Sequence, residues 1–537
     1  MNEYSEQWLP HLENSIPRDA YGYTISMYCV ALEGWRRGLS LKFINSNRSK
    51  AHTLFSLSDG KKEHFFSVSR GDKVPKSAIS ICINKNRTKS YLMKRGVSTP
   101  IGSNFDENVS TDEIVAYANK IKYPLVIKPS DGTGGKGVIA KIKSEAEFKK
   151  ALDYVRNQLN FKDIIVEKHF EGEDFRVYVI DNEVIGAIKR VPANVYGNGI
   201  NTIRELLNQK NKKRNQNPAL FKRPIRIDKE MNDMLLNIGY TLDSVPKKNE
   251  RVFLKSKNNV SVGGDSIDAT DELSDEVKQI AVDASNAIPG LVQCGVDLMV
   301  NQNSNEGVVL EINSRPHITA QLFPSEGLAR DIPKAIIDYY FPNTVSNNKS
   351  VESYYYFGVD FVFDSFRKGN ANEIMIPKIP DENMQSIMLN ASKISTNFDF
   401  EKWIWKLALK FNLNGYVEKI AKQKYSISIS GNEKSLKKFR DVLKSKSSTD
   451  LTIDYIEKED KEPIKIGFEI IKDKKAKRQK RSLHKKANKI SSEENLPKSN
   501  DTVDYKKKYD QIKNSTSWKI TKPIRKIKEI FKKNQRN

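Results

Sequence analysis

Residues 123–142 read YPLVIKPSDGTGGKGVIAKI, and the GTGGKG within them spells the GxGxxG pattern of two different nucleotide-binding loops. In a dinucleotide fold those glycines open a helix whose N-terminus faces a pyrophosphate. Here the glycines are followed by VIAKI, which reads as a strand. A Walker A loop needs Ser or Thr after its GK, and Lys136 is followed by Gly137. A protein kinase needs HRD and DFG motifs downstream, and neither occurs. What survives is a strand-loop-strand hairpin, with Lys128 ending the incoming strand and Gly132, Gly134, Gly135 and Gly137 in a flexible flap. Such a flap lays backbone N–H groups on phosphates while Lys128 neutralises them. Taken alone, the same letters suit a solvated glycine hairpin better.

Working outward, IIVEKHFEGEDFRVYVI places Glu167, Glu171, Glu173, Asp174 and Arg176 just after an apolar strand. Further on, VDLMV carries Asp297, and VVLEINSRP carries Glu311, Asn313 and Arg315. Glu311 and Asn313 stand two apart on a predicted strand, so both side chains share one face, and Asp297 lies on a strand able to pair beside it. Three hard oxygen donors on one surface suit Mg²⁺, which favours carboxylates and substrate phosphates. The flanking Val309, Leu310 and Ile312 make that face part of a buried site.

The chain has 537 residues, too many for a single core, so several domains are expected. Its net charge is +24, but from residue 471 onward there are 23 Lys/Arg against 7 Asp/Glu, and before it 68 against 60. The basicity therefore belongs mostly to a tail, and the folded part needs no polyanion to account for it. Cys29, Cys82 and Cys294 are scattered without metal or disulfide spacing, which fits a reducing compartment. No long apolar run suggests a membrane span, and the acidic, mixed N-terminus is unlike a signal peptide, so a cytoplasmic location is expected.

Element by element, a small α/β domain is predicted over residues 1–90, with a helix at ISMYCVALEGWRRG and strands at LSLKFI, AHTLFSL and AISICIN. Alternating strands and helices fill 91–342. Residues 343–382 read as a linker, polar at TVSNNKSVES, with connecting strands. Residues 383–470 follow the split β-α-β-β-α-β order of a ferredoxin-like domain. Residues 471–537 are expected to be a largely disordered basic tail ending in a short amphipathic helix near Pro523.

Taken together in this order, IKPSDGTGGKGV, VEKHFEGEDFRV, GVDLMV and LEINSRP resemble an ATP-grasp enzyme. RVPANVYGNGINTIRELL and VPKKNERVFLKSKNNVSVGGDSIDATDEL are similar, more narrowly, to the ATP-grasp units of cyanophycin synthetases and fused bacterial glutathione synthetases. The likeness runs from about residue 83 to 342. It implies an α/β ATP-grasp fold preceded by a pre-ATP-grasp-like domain. It further implies that Lys85 or Lys89, together with Lys128, touches nucleotide phosphates under a flap of residues 130–137 that includes Lys136. Glu167, Lys168 and the segment to Phe170 would form the adenine hinge, and Glu171, Glu173 or Asp174 would hold the ribose. Asp297, Glu311 and Asn313 would hold Mg²⁺, for which Mn²⁺ could substitute, and Arg176, Arg190 and Arg315 would stabilise the transferred phosphoryl group. The implied chemistry joins a small-molecule carboxylate to an amine through an acyl phosphate. Related ligases often carry an arginine two residues before the first metal ligand, where this chain has Gly295, so Arg190 or Arg315 would have to cover that role. No Mur-ligase or glutamate-cysteine ligase region accompanies the match, so neither family product carries over.

The split βαβ unit resembles an acylphosphatase. Aligning NGYVEK on that family's GWVxN motif puts Glu401 at the phosphate-binding arginine position and Lys419 at the water-orienting asparagine position. A carboxylate there repels phosphate, so an inactive acylphosphatase-like domain is expected. The lysine-rich tail, with Ile524, Ile527 and Phe531 on one helical face, is patterned for an anionic membrane surface, and NSTSWKITKPIRKI is similar to tails of glycosyltransferases that build surface polysaccharides. No aromatic array accompanies the lysines, so nucleic acid is not the expected partner. A catalytically quiet ATP-binding scaffold is the rival from another class.

Overall fold

The computed structural model describes residues 7–46, 53–130, 137–344, 355–379, 384–392, 399–446, 452–459 and 463–471. The expected amphipathic tail helix, the polar part of the linker and flap residues Gly132, Gly134, Gly135 and Lys136 lie outside them.

Near the N-terminus, the helix Ile25–Arg36 is buried along almost its whole length. It can be, because its polar groups have partners: Tyr28 Oη donates to the Phe357 carbonyl at 2.9 Å, and Arg36 Nε to the Tyr355 carbonyl at 2.8 Å. It packs on an antiparallel sheet in which Ser40–Ile44 lies between Leu54–Ser58 and Glu373–Ile376, so the segment after residue 355 returns to complete the N-terminal sheet. That segment also contains a helix, Asp360–Arg367, besides its strands.

One expected strand is a helix instead. AISICIN folds as Lys76–Ile83, with Pro75 at its boundary. Ala78 and Ile81, three apart, are buried while Ile83 is 77% exposed. The alternating isoleucines imitate period two, but the core accepts only the helical pair.

Two sheets then face each other. The first, in the order Gly102–Phe105, Ile164–Lys168, Leu125–Pro129, Ile139–Ile142, contains the opening hairpin, whose two strands pair antiparallel. The second is fully antiparallel, in the order Asp265–Asp268, Glu183–Val191, Glu173–Ile180, Gln293–Asn301, Glu306–Asn313. Its central hairpin turns on Asp181 and Asn182, both at positive φ (47° and 66°), which matches strand twist in a two-residue loop. Helices start where caps were legible: Ser110 caps Thr111–Ile121, and Thr202 with Glu205 forms a capping box on Ile203–Gln216. Helix Lys85–Lys94 ends before Gly96 at φ +73°, and packs beside the Glu306–Asn313 strand.

The C-terminal unit places Thr452–Glu459, Met384–Ser392, Lys424–Asn432 and Asn414–Ala421 side by side, the 4-1-3-2 order of the ferredoxin-like fold, with Phe468–Ile471 added in parallel at the edge. Fold class is thus α/β throughout, as the sequence patterning required.

Candidate functional site

The opening hairpin delivers Lys128 from the end of Leu125–Pro129 to the buried Glu167 on the adjacent Ile164–Lys168 strand, Nζ to Oε2 at 2.5 Å. Lys89, from the helix Lys85–Lys94, reaches the other carboxylate oxygen at 2.9 Å. Burial alone would raise the Glu167 carboxyl, but the two ammonium groups outweigh it and hold the carboxyl below its usual range. The three groups line one cleft with Lys85 and Glu311, so lysines from the helix Lys85–Lys94 and from the hairpin share a cavity with a carboxylate of the other sheet.

Across the cleft, sheet register decides the rest. Asp297 stands directly opposite Glu311 on one side and Arg176 on the other, and Gly295 opposite Asn313. Arg176 donates to both Asp297 oxygens at 2.8 Å, a bidentate fork. Arg190 binds Asp174 with Nε at 2.9 Å and also approaches Asp297 at 3.1 Å, while Asn258 Nδ2 donates to Asp174 at 3.2 Å. Two buried carboxylates and two guanidinium groups therefore form one charge-balanced network. Burial opposes ionisation of Asp297, but the two arginines hold its carboxyl low. Asp174 goes the other way, raised by burial against the pull of Arg190, with Asp297 adding repulsion.

Glu311 is half-buried and has no hydrogen-bond or ion-pair partner among the described residues, and Asn313 Nδ2 is buried without one. Among the described residues, no three His, Cys, Asp or Glu side chains cluster as a complete metal cage. The donor set of Asp297, Glu311 and Asn313 fits an ion that takes most of its ligands from phosphate and water, as Mg²⁺ does.

The other sequence-derived candidates are placed as follows. Lys168 Nζ donates to the Lys122 and Tyr123 carbonyls at 2.8 and 2.9 Å, at the foot of the hairpin. Phe170 is half-buried, Glu171 is exposed, and Glu173 pairs with Lys189 at 2.5 Å. Gly137 sits at φ +75° against Pro129. Arg315 reaches Ser67 Oγ at 3.3 Å. Of the two arginines named to compensate for Gly295, Arg190 is the one joined to Asp297. Gly295 has no room for a side chain, since an added Cβ would lie 2.8 Å from that of Pro316. Asn258 was not singled out from the sequence, because nothing local marks one asparagine in KSKNNV as a partner of Asp174.

With this geometry in view, comparison with known proteins is informative. Residues 82–206 match the family described as RimK-like ATP-grasp domain, 240–319 that described as ATP-grasp domain, and 397–470 Acylphosphatase. The chain carries an ATP-grasp domain. It is 33% identical over 303 residues to cyanophycin synthetase of Trichormus variabilis, covering 55% of this chain and 33% of that protein. It is 31% identical over 332 residues to the glutathione biosynthesis bifunctional protein GshAB of Clostridium perfringens, covering 59% and 41%. Among solved structures, a bifunctional glutathione synthetase from Pasteurella multocida is 28% identical with a TM-score of 0.43, covering 54% of this chain and 40% of that one. The chain thus spans about a third to two fifths of the length of these relatives.

Proposed function

We propose that this chain joins a carboxylate to an amine at the expense of ATP, through an acyl phosphate. The observation that most supports this is the cleft in which Lys89 and Lys128 converge on Glu167, beside the Asp297/Glu311 pair. An anionic carboxylate must meet an anionic triphosphate, so the chief requirement is positive charge placed in advance. Lys85 or Lys89, with Lys128, would bind phosphate oxygens, exchanging the Glu167 carboxylate for them. Arg176 and Arg190 would move part of their charge from Asp297 to the transferred phosphoryl group. A magnesium ion held by Asp297, Glu311 and Asn313 would supply further neutralisation between the phosphates. The amine then displaces phosphate from the acyl group and leaves an amide. Of the acidic candidates, the exposed Glu171 would hold the ribose, since Glu173 is paired with Lys189 and Asp174 with Arg190 and Asn258.

The tail's likeness to envelope glycosyltransferase tails supports a role in cell-envelope or capsule polymer or peptide synthesis, with the basic segment at an anionic membrane surface. Among the described residues no helix is long and apolar enough to cross a membrane.

The test is ADP release with Mg²⁺, screened against amino acids and sugar acids, with Glu311→Gln as control. Stimulation by one carboxylate, abolished in the variant, supports the ligase. Retained ATP binding with no stimulation by any carboxylate would favour the scaffold.

The acylphosphatase match at 397–470 is a second source of an assignable activity. Against it, Glu401 lies in the first turn of Phe400–Lys410, and Lys419 is exposed with its ammonium 5.6 Å from the Tyr425 ring. Neither supplies what the family's arginine and asparagine supply.

A further inference from the structure

Away from the cleft of Lys89 and Lys128, a strongly charged concavity lies between the N-terminal turns Arg18–Ala20 and Gly22–Thr24 and the segment Phe221–Asp228. It encloses about 740 Å³, within the roughly 300–1,000 Å³ of small-molecule sites. Its walls are held before any ligand arrives. Gly22 N–H donates to the Pro218 carbonyl at 3.1 Å, Tyr21 meets Phe221 edge-on at 5.4 Å, and the buried Asn217 ties the same segment to the Phe323 carbonyl at 3.0 Å.

Five cations line it, against Asp19 and Asp228. Lys255 is already taken by Asp228. Arg18, Lys222, Arg223 and Arg226 have no carboxylate partner among the described residues, and the Arg223 guanidinium stands 4.1 Å over the Tyr23 ring. Concentrating unpaired guanidinium groups in one concavity costs repulsion, and an anion relieves it.

One wall of the cleft touches the segment that follows the Glu306–Asn313 strand. Tyr23 contacts His317 edge-on at 5.6 Å, two residues beyond Arg315. Desolvation and the charges of Arg223, Arg176 and Arg315 hold the His317 imidazole down at about 4, so the cleft arginine and the arginine on Asp297 act on the same ring.

We infer that this cleft binds the acidic co-substrate, a flexible chain bearing several carboxylates, with one carboxylate held by Arg18, Arg223 and Arg226 while another reaches the phosphoryl-transfer site. The inference rests on the ligase reading for its second half only. Two sources share this chemistry, an acidic peptide and an oligo-uronate.

The experiment measures binding of triglutamate and of trigalacturonate to the full chain, with trialanine as reference, in parallel with ATP binding. The expected result is salt-sensitive binding of at least one acidic probe, weakened at least tenfold in Arg18→Glu/Arg226→Glu and in Arg223→Gln, with ATP binding unchanged. Both substituted positions of the double variant are exposed, so its folding is not at stake. Acidic probes binding no better than trialanine, or equally well to the variants, would overturn the inference. Were that to occur while another carboxylate still drives ADP release, the ligase would stand without this site; arginine-dependent binding without any ADP release would keep the site and remove the ligase.

Discussion

The nucleotide cleft and the C-terminal split βαβ unit both match families that act on phosphate groups, yet they hold their ionisable side chains in opposite ways. In the cleft, Glu167 and Asp297 are 5% exposed and each is shared by two cations arriving from separate elements. In the C-terminal unit, Lys419 is exposed and Glu401 only half-buried. Buried charge survives only where it is paired, so the cleft's arrangement constrains several residues at once. The C-terminal unit keeps its core, with Ile427, Ile429, Leu436 and Phe439 fully buried, while those two positions are free of such constraint. The ionisable candidates are therefore tied into the fold in the cleft and stand apart from it in the C-terminal unit.

The sharpest way to break this contrast is Asp297→Asn. It leaves the half-buried Arg176 and Arg190 beside a neutral group, and stability should fall by roughly 1.5–3 kcal/mol through lost charge-assisted hydrogen bonding, read from the denaturant midpoint. An unchanged midpoint would show that the network is not what fixes these side chains. Glu311→Gln, at an unpartnered carboxylate, should instead cut ADP release on the order of 10²-fold or more, by comparison with loss of other electrostatic groups. Its melting temperature should stay at the wild-type value, and a parallel drop in both would assign Glu311 to the fold. Lys128→Met should weaken ATP binding about tenfold, the effect of roughly 1.4 kcal/mol, measured by calorimetry. An equal loss in Lys419→Met would erase the distinction between the two regions.

The pH response gives a smaller effect. Glu167 has a lowered carboxyl in the folded chain, so its contribution to stability is complete above the unfolded value of about 4.3 and is lost as pH falls through the folded value. Glu167→Gln should flatten the acid limb of the stability curve below about pH 4.3, and an unaltered limb would show that its pairing with Lys89 and Lys128 contributes nothing to stability. The smallest expected effect is none: acetyl phosphate hydrolysis by the full chain should be the same in wild type and Lys419→Ala. A decrease in the variant would restore the acylphosphatase assignment.

Local features were legible because their causes lie within a few residues. The hairpin around GTGGKG follows from its flanking β-branched strands, and the shared face of Glu311 and Asn313 follows from strand period alone. AISICIN misled because its alternation is local while the choice between helix and strand was made by what Ala78 and Ile81 pack against. Sequence by itself determined that the glycine stretch after Lys128 joins two strands rather than opening a helix, and that Glu311 and Asn313 share a strand face. Tertiary structure decided which cations meet which carboxylates: Arg190 joins an aspartate 16 residues away, Asn258 one 84 away and Arg176 one 121 away. The two arginine partnerships are set by strand register and sheet order, the Asn258 one by the path of a loop, and no spacing along the chain encodes them.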